Sequence, residues 1–167
     1  PVSTPFERRA TAALVRRMYR WRGYQIDDRS SAFDDPDSLI IAAWRGDEIA
    51  ATMMLRRDGA KGLLCESLYP DEVKQFRAGN LTICEYSRLA VNPEFRSPGL
   101  LDTFFLAAYQ AARHRFDATD ALVEVNPRHS RFYQRQFGFS RAGGLRICPR
   151  VDAPAILLHR ALHRQIT

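Results

Sequence analysis

The sequence predicts an α/β fold in which helices flank a mixed, mostly antiparallel sheet. Leu81–Pro93 alternates as a strand does and is rich in β-branched and aromatic residues. The segment after Pro98 repeats apolar residues with the 3.6-residue period of an amphipathic helix. Leu39–Arg45 and Glu48–Arg57 flank a two-residue turn, which predicts an antiparallel hairpin. A chain of 167 residues is most simply one domain spanning residues 1–167.

The first element is a helix that begins at Thr4 and ends near Gly23. Thr4-Pro5-Phe6-Glu7 has the residues of a capping box, and apolar residues follow at helical spacing. Arg17 lies on the opposite, basic side, where it is solvated or contacts a substrate. A polar, acidic loop at Asp27–Asp37 then leads to the hairpin.

The rest of the chain alternates helices and strands. Pro70–Ala78 reads as a short helix with acidic residues in its first turn, stopped by Gly79-Asn80. Ser97 caps the helix after the central strand, and Gly138 occupies the left-handed position that ends a helix. The further predicted elements are a strand at Ala121–Asn126, a helix at Pro127–Phe137 and closing strands at Leu145–Cys148 and Ala155–His159.

The central strand carries two charges that a buried strand normally excludes. Glu85 and Arg88 are three residues apart, so they point to opposite faces unless a bulge intervenes. An unpaired buried charge costs several kcal/mol, so each needs a partner or a substrate. The strand therefore marks the chemical centre of the protein.

The segment after that strand has the features of an anion site. Arg96-Ser97-Pro98-Gly99 precedes a helix, and the amide groups at a helix N-terminus attract negative charge. The same residues also suit a simple change of chain direction, and both interpretations remain open on the residues alone.

These residues together resemble a known superfamily. Arg96 and Gly99 open a helix after a strand, and Asn126, Tyr133 and Gly138-Phe139 follow in order, as in the two core motifs of the GCN5-related N-acetyltransferases. Glu85-Tyr86-Ser87-Arg88-Leu89-Ala90-Val91 is similar to the E-x-S-R-x-x-V signature of the acyl-homoserine lactone synthases and of the FeeM-type N-acyl amino acid synthases. The amino-acid synthases fit better, because the segment from Asn126 to Tyr133 keeps the acetyltransferase-like ending.

The resemblance implies an acyl-CoA N-acyltransferase (GNAT-like) fold and an enzyme that moves a medium or long acyl chain from an acyl carrier protein thioester to the amine of an amino acid. Acyl transfer needs a base for the amine, a donor to the oxyanion and an acid for the thiolate. Glu85 is the first choice as base and Glu124 the second; a backbone N–H near Leu89 is the oxyanion donor and Tyr133 the acid. Pantetheine is expected along Ala90, Val91 and Asn126, with Arg96, Ser97 and Gly99 at its phosphate. The residues expected around the small acceptor are Arg17, Asp34, Asp37, Arg56 and Arg88.

The donor is expected to be an acyl-phosphopantetheine, with no permanently bound cofactor. Leu100 and Leu101 follow Gly99 and are expected to narrow the space for a coenzyme A pyrophosphate, which favours a carrier protein with its single phosphate. Alternatives are an acyl-coenzyme A enzyme with another acceptor, including a lactone-forming one, and a non-catalytic module that binds a carrier or nucleic acid. Glu85, Asn126 and Tyr133 argue against the module, which needs none of them.

Composition sets the remaining expectations. The net charge of +6 comes almost entirely from arginine, which suits an acidic carrier protein and equally reflects codon bias; no basic run indicates nucleic acid. The three cysteines and four histidines lack metal-site spacing, and unpaired cysteines favour a reducing compartment. No apolar run reaches the ~18 residues of a membrane span. We therefore expect a cytoplasmic protein with no metal and no stable membrane insertion.

Overall fold

A computed structural model describes residues 1–21, 35–149 and 152–162. Its helices are α1 Pro5–Trp21, α2 Pro70–Ala78, α3 Pro98–Phe116 and α4 Ser130–Phe137. Its strands are β1 Ser38–Arg45, β2 Glu48–Arg57, β3 Ile83–Val91, β4 Asp120–Val125, β5 Ser140–Cys148 and β6 Ala153–Ala161. They form one six-stranded sheet in the order β1-β2-β3-β4-β6-β5. Only β3 and β4 pair in parallel, which confirms the mixed, mostly antiparallel sheet.

The helix ends confirm the predicted caps. The Thr4 hydroxyl accepts a hydrogen bond from the Glu7 amide at 3.1 Å, and the Glu7 carboxylate accepts one from the Thr4 amide at 3.0 Å. Ser97 accepts from the Leu100 amide at 3.2 Å, and Gly138 closes α4 with a φ of +69°. These polar residues satisfy backbone groups that a helix end leaves unpaired, so the sequence sets the helix limits locally.

The sheet is covered on both faces. The large core cluster lies between the sheet and α3 and α4, and its members include Met53, Tyr86, Phe104, Phe105, Val123, Tyr133, Phe139 and Leu158. On the other face, Leu14 and Met18 of α1 pack against Ala90. The same face also carries α2 and a short 3-10 helix, Leu64–Ser67 (the 64–67 turn), whose Cys65 packs with Ile83, Leu122 and Leu157.

A β-bulge interrupts β3. Thr52 of β2 pairs with Ala90 and Met54 pairs with Ser87, so two residues of β3 lie opposite one residue of β2. One of them, Arg88, has a φ of +53°, a conformation that costs a non-glycine residue about 1 kcal/mol or more. The extra residue changes which side chains face α3: Cys84 and Tyr86 do so before the bulge, and Leu89 and Val91 after it.

The two parallel strands separate near the bulge. Their register runs from Ile83 opposite Asp120 to Tyr86 opposite Val123 and then ends, although β3 continues to Val91. Each strand ends in Asn-Pro and a 3-10 turn, and the asparagine accepts a hydrogen bond from the amide two residues ahead at 3.1 Å and 3.2 Å. The strands therefore open toward their carboxyl ends, between the N-termini of α3 and α4.

Tyr69 joins α2 to the β5–β6 hairpin. Its phenol oxygen lies 2.7 Å from the Gly144 carbonyl oxygen and 2.9 Å from the Ala155 carbonyl oxygen. The ring is fully buried and presses on Gly143 of the hairpin. Burial, with the nearby Glu124 as a second cause, raises the pKa of Tyr69 to about 12, so the phenol stays protonated and able to donate.

Gly143 and Gly144 give a matched test of this packing. A Cβ at Gly143 would lie 2.6 Å from the Tyr69 ring and 3.0 Å from the Leu157 Cβ, whereas one at Gly144 meets nothing within 4 Å. We expect Gly143→Ala to lower the free energy of unfolding by ~1–3 kcal/mol, because the ring must move. Gly144→Ala should change it by less than ~0.5 kcal/mol. Urea denaturation of both variants tests the difference, and equal effects would contradict it.

Candidate active site

The site lies where β3 and β4 separate. Ligands of α/β folds bind beyond the carboxyl ends of parallel strands, where helix N-termini point toward the ligand. The bulge places Arg88 and Leu89 outside the register with β2, and the β3–β4 ladder has already ended at Tyr86. Backbone groups of β3 from Ser87 onward therefore face the opening, and these include the predicted contacts Leu89, Ala90 and Val91.

Glu85 is held by backbone amides on the α2 face of the sheet. Its side chain is 1% exposed, and its two oxygens accept hydrogen bonds from the amides of Leu64 at 2.8 Å and Cys65 at 2.7 Å. Both amides belong to the start of the 64–67 turn. A carboxylate has about four lone-pair sites, so these two bonds orient it and leave acceptor capacity for a substrate.

Arg56 lies directly across the β2–β3 ladder from Glu85. The two residues are register partners and so share a face of the sheet. Arg56 is 6% exposed, and within the described chain its guanidinium makes long contacts, 3.4 Å from Nε to the Ser38 hydroxyl and 3.9 Å from Nη2 to Asp35. A buried guanidinium with five N–H donors and such weak partners is well suited to bind an anion.

The acidic residues near Arg56 differ in their surroundings. Asp35 is buried, and the Asp37 amide, followed by Lys61 at 3.3 Å, lowers the pKa of its carboxyl. Asp37 instead forms an ion pair with the exposed Arg57, whose Nη2 lies 2.6 Å from the Asp37 Oδ1. Asp34 lies outside the described residues. Sequence reasoning missed Asp35, which among three neighbouring aspartates carried no distinguishing signal.

Glu124 lies on the strand beside Glu85, and Asn126 directly follows that strand. Leu122 is the register partner of Glu85 and packs on the α2 face, so alternation places half-buried Glu124 and then Asn126 on that same face. The Glu124 charge helps to raise the pKa of Tyr69. Asn126 caps the following turn by accepting a hydrogen bond from the Arg128 amide at 3.2 Å. Both predicted bases are thus near the opening, on one face.

Tyr133 lies on the opposite face, in an aromatic cluster. Its ring is 6% exposed and packs edge-to-face against Phe105 at 5.5 Å and Phe139 at 5.9 Å between centroids. Phe139 in turn contacts Tyr86 at 6.2 Å, at the end of the β3–β4 ladder. The cluster therefore connects Tyr133 to the point where the strands separate.

Two buried hydroxyls mark that point. The hydroxyls of Tyr86 and Ser87 have no hydrogen-bond partner among the described residues. Burial raises the pKa of Tyr86, so its phenol stays protonated. An unpaired buried hydroxyl costs about 1–3 kcal/mol, which a polar group of a ligand or a water molecule removes.

The start of α3 is open to solvent. Arg96, Ser97 and Gly99 are exposed, and a Cβ at Gly99 would meet nothing within 4 Å. Leu101 is buried, and Leu100 packs against the same core. Both leucines thus contact the core at the start of α3, and the expectation that they narrow a pyrophosphate site stays a prediction.

The structure thus gathers most of the predicted residues around one opening. Arg17 is exposed on α1. The amides of Leu64 and Cys65 were not predicted, because backbone donors 21 and 20 residues away carry no sequence signal. Within residues 1–21, 35–149 and 152–162 no three His, Cys, Asp or Glu side chains group as metal ligands would. In the same part of the chain, no helix is long and apolar enough to cross a membrane.

A protein-family model described as N-acyl amino acid synthase FeeM matches residues 10–161. No curated protein matches the sequence closely enough to count as a relative. The matched span covers all six strands and the residues around the opening. It leaves out the first part of α1.

Solved structures share the fold over nearly the whole chain. FeeM, an N-acyl amino acid synthase from uncultured soil microbes, has a TM-score of 0.87 and 26% identity, with 95% of this chain and 92% of that chain covered. An acyl-CoA N-acyltransferase from Pseudomonas aeruginosa has a TM-score of 0.68 and 18% identity, with 95% and 92% covered. The AHL synthase LasI has a TM-score of 0.66 and 13% identity, with 93% and 82% covered. The last two likenesses establish the predicted GNAT-like fold.

Proposed function

We propose, since this chain belongs to the FeeM family of N-acyl amino acid synthases and is an N-acyltransferase, that it transfers a medium-length or long acyl chain to the amine of an amino acid. The donor in this proposal is the thioester of an acyl carrier protein, and the reaction takes place in the cytoplasm. The acceptor is a small zwitterion with a free α-carboxylate. A coenzyme A thioester is the alternative donor.

The observation that carries the proposal is the position of Arg56 directly opposite Glu85 on the neighbouring strand. A buried guanidinium and a buried carboxylate lie on register partners of neighbouring strands, on one face of the sheet. An amino acid carries the complementary charges on adjacent atoms, an α-carboxylate for Arg56 and an α-ammonium for Glu85. Charge-assisted hydrogen bonds of this kind are about twice as strong as neutral ones, and the buried setting strengthens them further.

The chemistry follows from the same geometry. Glu85 takes a proton from the α-ammonium, and the freed amine attacks the thioester carbonyl carbon. The backbone N–H of Leu89, in the bulge and outside the β2 register, donates to the oxyanion. The C–S bond then breaks and Tyr133 protonates the departing thiolate, while the attacking nitrogen gives up its second proton to solvent, from which Tyr133 is reprotonated. The products are an amide, a free pantetheine thiol and the proton held by Glu85. Two further carboxylates can help to hold the acceptor: Glu124 on the neighbouring strand and Asp35, which lies 3.9 Å from the Arg56 guanidinium.

The free edge of β3 supports the donor site. A pantetheine arm has amide groups, and it can bond to Ala90 and Val91 in place of a missing strand, with Asn126 on the other side. Arg96, Ser97 and Gly99 supply a charge and helix amides for its phosphate. The net charge of +6 favours an acidic carrier protein. The open space at Gly99 is the observation that keeps coenzyme A as the alternative.

The first test replaces the base. Glu85→Gln should lower kcat by ~10²–10⁴-fold, because it removes the proton acceptor. It should also lower the free energy of unfolding by ~1–3 kcal/mol, because one amide of the 64–67 turn then faces an NH2 group. Turnover per folded molecule, measured with donor binding, separates the two effects. A near-normal rate would move the base to Glu124, whose Gln variant is the matched comparison.

The second test addresses the acceptor. Arg56→Gln should raise KM for an amino acid by ~10–100-fold and leave KM for the donor unchanged, since it removes charge-assisted bonds to the carboxylate. Amino-acid methyl esters lack that charge, so the variant and the parent should use them equally. Steady-state kinetics with matched acids and esters measures the difference. An equal loss with both acceptors would contradict carboxylate recognition.

The third test addresses the donor. An acyl carrier protein should support a higher kcat/KM than coenzyme A carrying the same acyl chain, and the advantage should fall as salt rises. Attraction between the basic protein and an acidic carrier is screened over ~8 Å at physiological ionic strength. Initial rates with both donors across a salt series measure this. Equal rates with no salt dependence would favour the coenzyme A alternative.

A further inference from the structure

We infer that Arg77, on α2 and outside the opening, is a positioning residue that fixes the Glu85 carboxylate through Glu66 and the 64–67 turn. The inference rests on the proposed role of Glu85 as the base. It assigns to Arg77 an effect on turnover that acts only through Glu85.

The Arg77 guanidinium binds two carboxylates, those of Glu66 and Asp58. Its Nη1 and Nη2 lie 2.6 Å and 2.8 Å from the two oxygens of Glu66, and its Nε and Nη2 lie 2.7 Å and 2.8 Å from those of Asp58. Its side chain is 35% exposed, so the network is at the surface. Isolated surface ion pairs contribute little to stability, but paired bidentate contacts fix the positions of the groups they join. Asp58 follows β2, so Arg77 ties α2 and the turn to the end of that strand.

Glu66 carries the connection into the 64–67 turn. Its carboxylate accepts a hydrogen bond from the Leu63 amide at 3.4 Å, and the Arg77 bonds are the first cause of its lowered pKa. Gly62 permits this arrangement, because a Cβ there would lie 2.6 Å from the Glu66 Oε2 and its φ is +68°. The carboxylate of Glu66 is therefore fixed on both sides, by Arg77 and by the start of the turn.

The 64–67 turn holds the Glu85 carboxylate. The amides of Leu64 and Cys65 directly follow Leu63 and donate to the two Glu85 oxygens at 2.8 Å and 2.7 Å. Because both oxygens are bound, a shift of the turn rotates or withdraws the carboxylate. A general base must lie within hydrogen-bond reach of the proton it removes, and a displacement of about 1 Å costs up to ~10²-fold in rate.

Arg146 provides a matched control. It is also an arginine bound to α2, it is 40% exposed, and its Nη2 lies 3.0 Å from the Glu72 carboxylate. It donates at 2.6 Å to the Leu68 carbonyl oxygen, beyond the 64–67 turn. Replacing Arg146 therefore loosens the same helix without touching Glu66 or the amides that hold Glu85.

The experiment compares Arg77→Gln and Arg146→Gln, each alone and combined with Glu85→Gln. We expect Arg77→Gln to lower kcat by ~5–20-fold with KM for both substrates changed by less than ~2-fold, because the base is displaced and the binding groups are not. Arg146→Gln should leave kcat within ~2-fold. In the Glu85→Gln background, Arg77→Gln should change the residual rate by less than ~2-fold, since residues that act through one group are not additive. All rates are taken per folded molecule, with the fraction folded measured by circular dichroism.

The rates of the single and double variants distinguish an effect through Glu85 from a general effect on the fold. An equal loss from Arg77→Gln in both backgrounds, or an equal loss from Arg146→Gln, would show a general effect on the fold and overturn the inference. A normal rate in Glu85→Gln alone would overturn the proposed base, and the inference with it. Should Arg77→Gln fail to fold, Glu66→Gln breaks the same connection from its other end, and it must then show the same kcat loss and the same non-additivity.

Discussion

The bulge in β3 is the constraint on which the site depends. Two residues of β3 oppose one of β2, directly after the point at which the parallel ladder with β4 ends. The same extra residue reverses the alternation, which puts both Tyr86 and Val91 on the α3 face. A regular strand would instead place Ser87, Leu89 and Val91 on the same face as Glu85. The positive φ of Arg88 is the local cost of the bulge.

The opening separates two kinds of chemistry on the two faces of one sheet. On the α2 face lie buried charges, with Arg56 opposite Glu85. On the α3 face lies an aromatic cluster with Tyr133 and Tyr86, and burial raises the pKa of Tyr86, so its phenol stays neutral. A charged acceptor and an apolar acyl chain therefore find suitable surroundings on opposite sides of the gap between β3 and β4. In this proposal the reacting carbonyl lies between them.

Charge burial also explains how the α2 face is built. A carboxylate with 1% exposure needs donors, and Glu85 obtains them from a turn whose Leu64 and Cys65 are themselves buried in the core. The turn is held in place by Glu66 and Arg77, and α2 is held by Tyr69 and Arg146. Surface ion pairs that add little to stability thereby set the geometry of a buried group.

The sequence alone determined most of the elements and the family, although it did not predict the 64–67 turn or the start of β5 at Ser140. Caps at Thr4 and Ser97, the Gly46-Asp47 turn and the apolar periods are local signals, so helices and strands followed from neighbouring residues. The motif residues Glu85, Asn126 and Tyr133 were recognisable because their spacing is a property of the chain. Tertiary structure decided the rest: the bulge at Arg88, the burial of Asp35, the direction of Leu100 and Leu101, and the amides that hold Glu85. Each of these depends on residues distant in sequence, whose contacts form only when the sheet and its covering elements pack together.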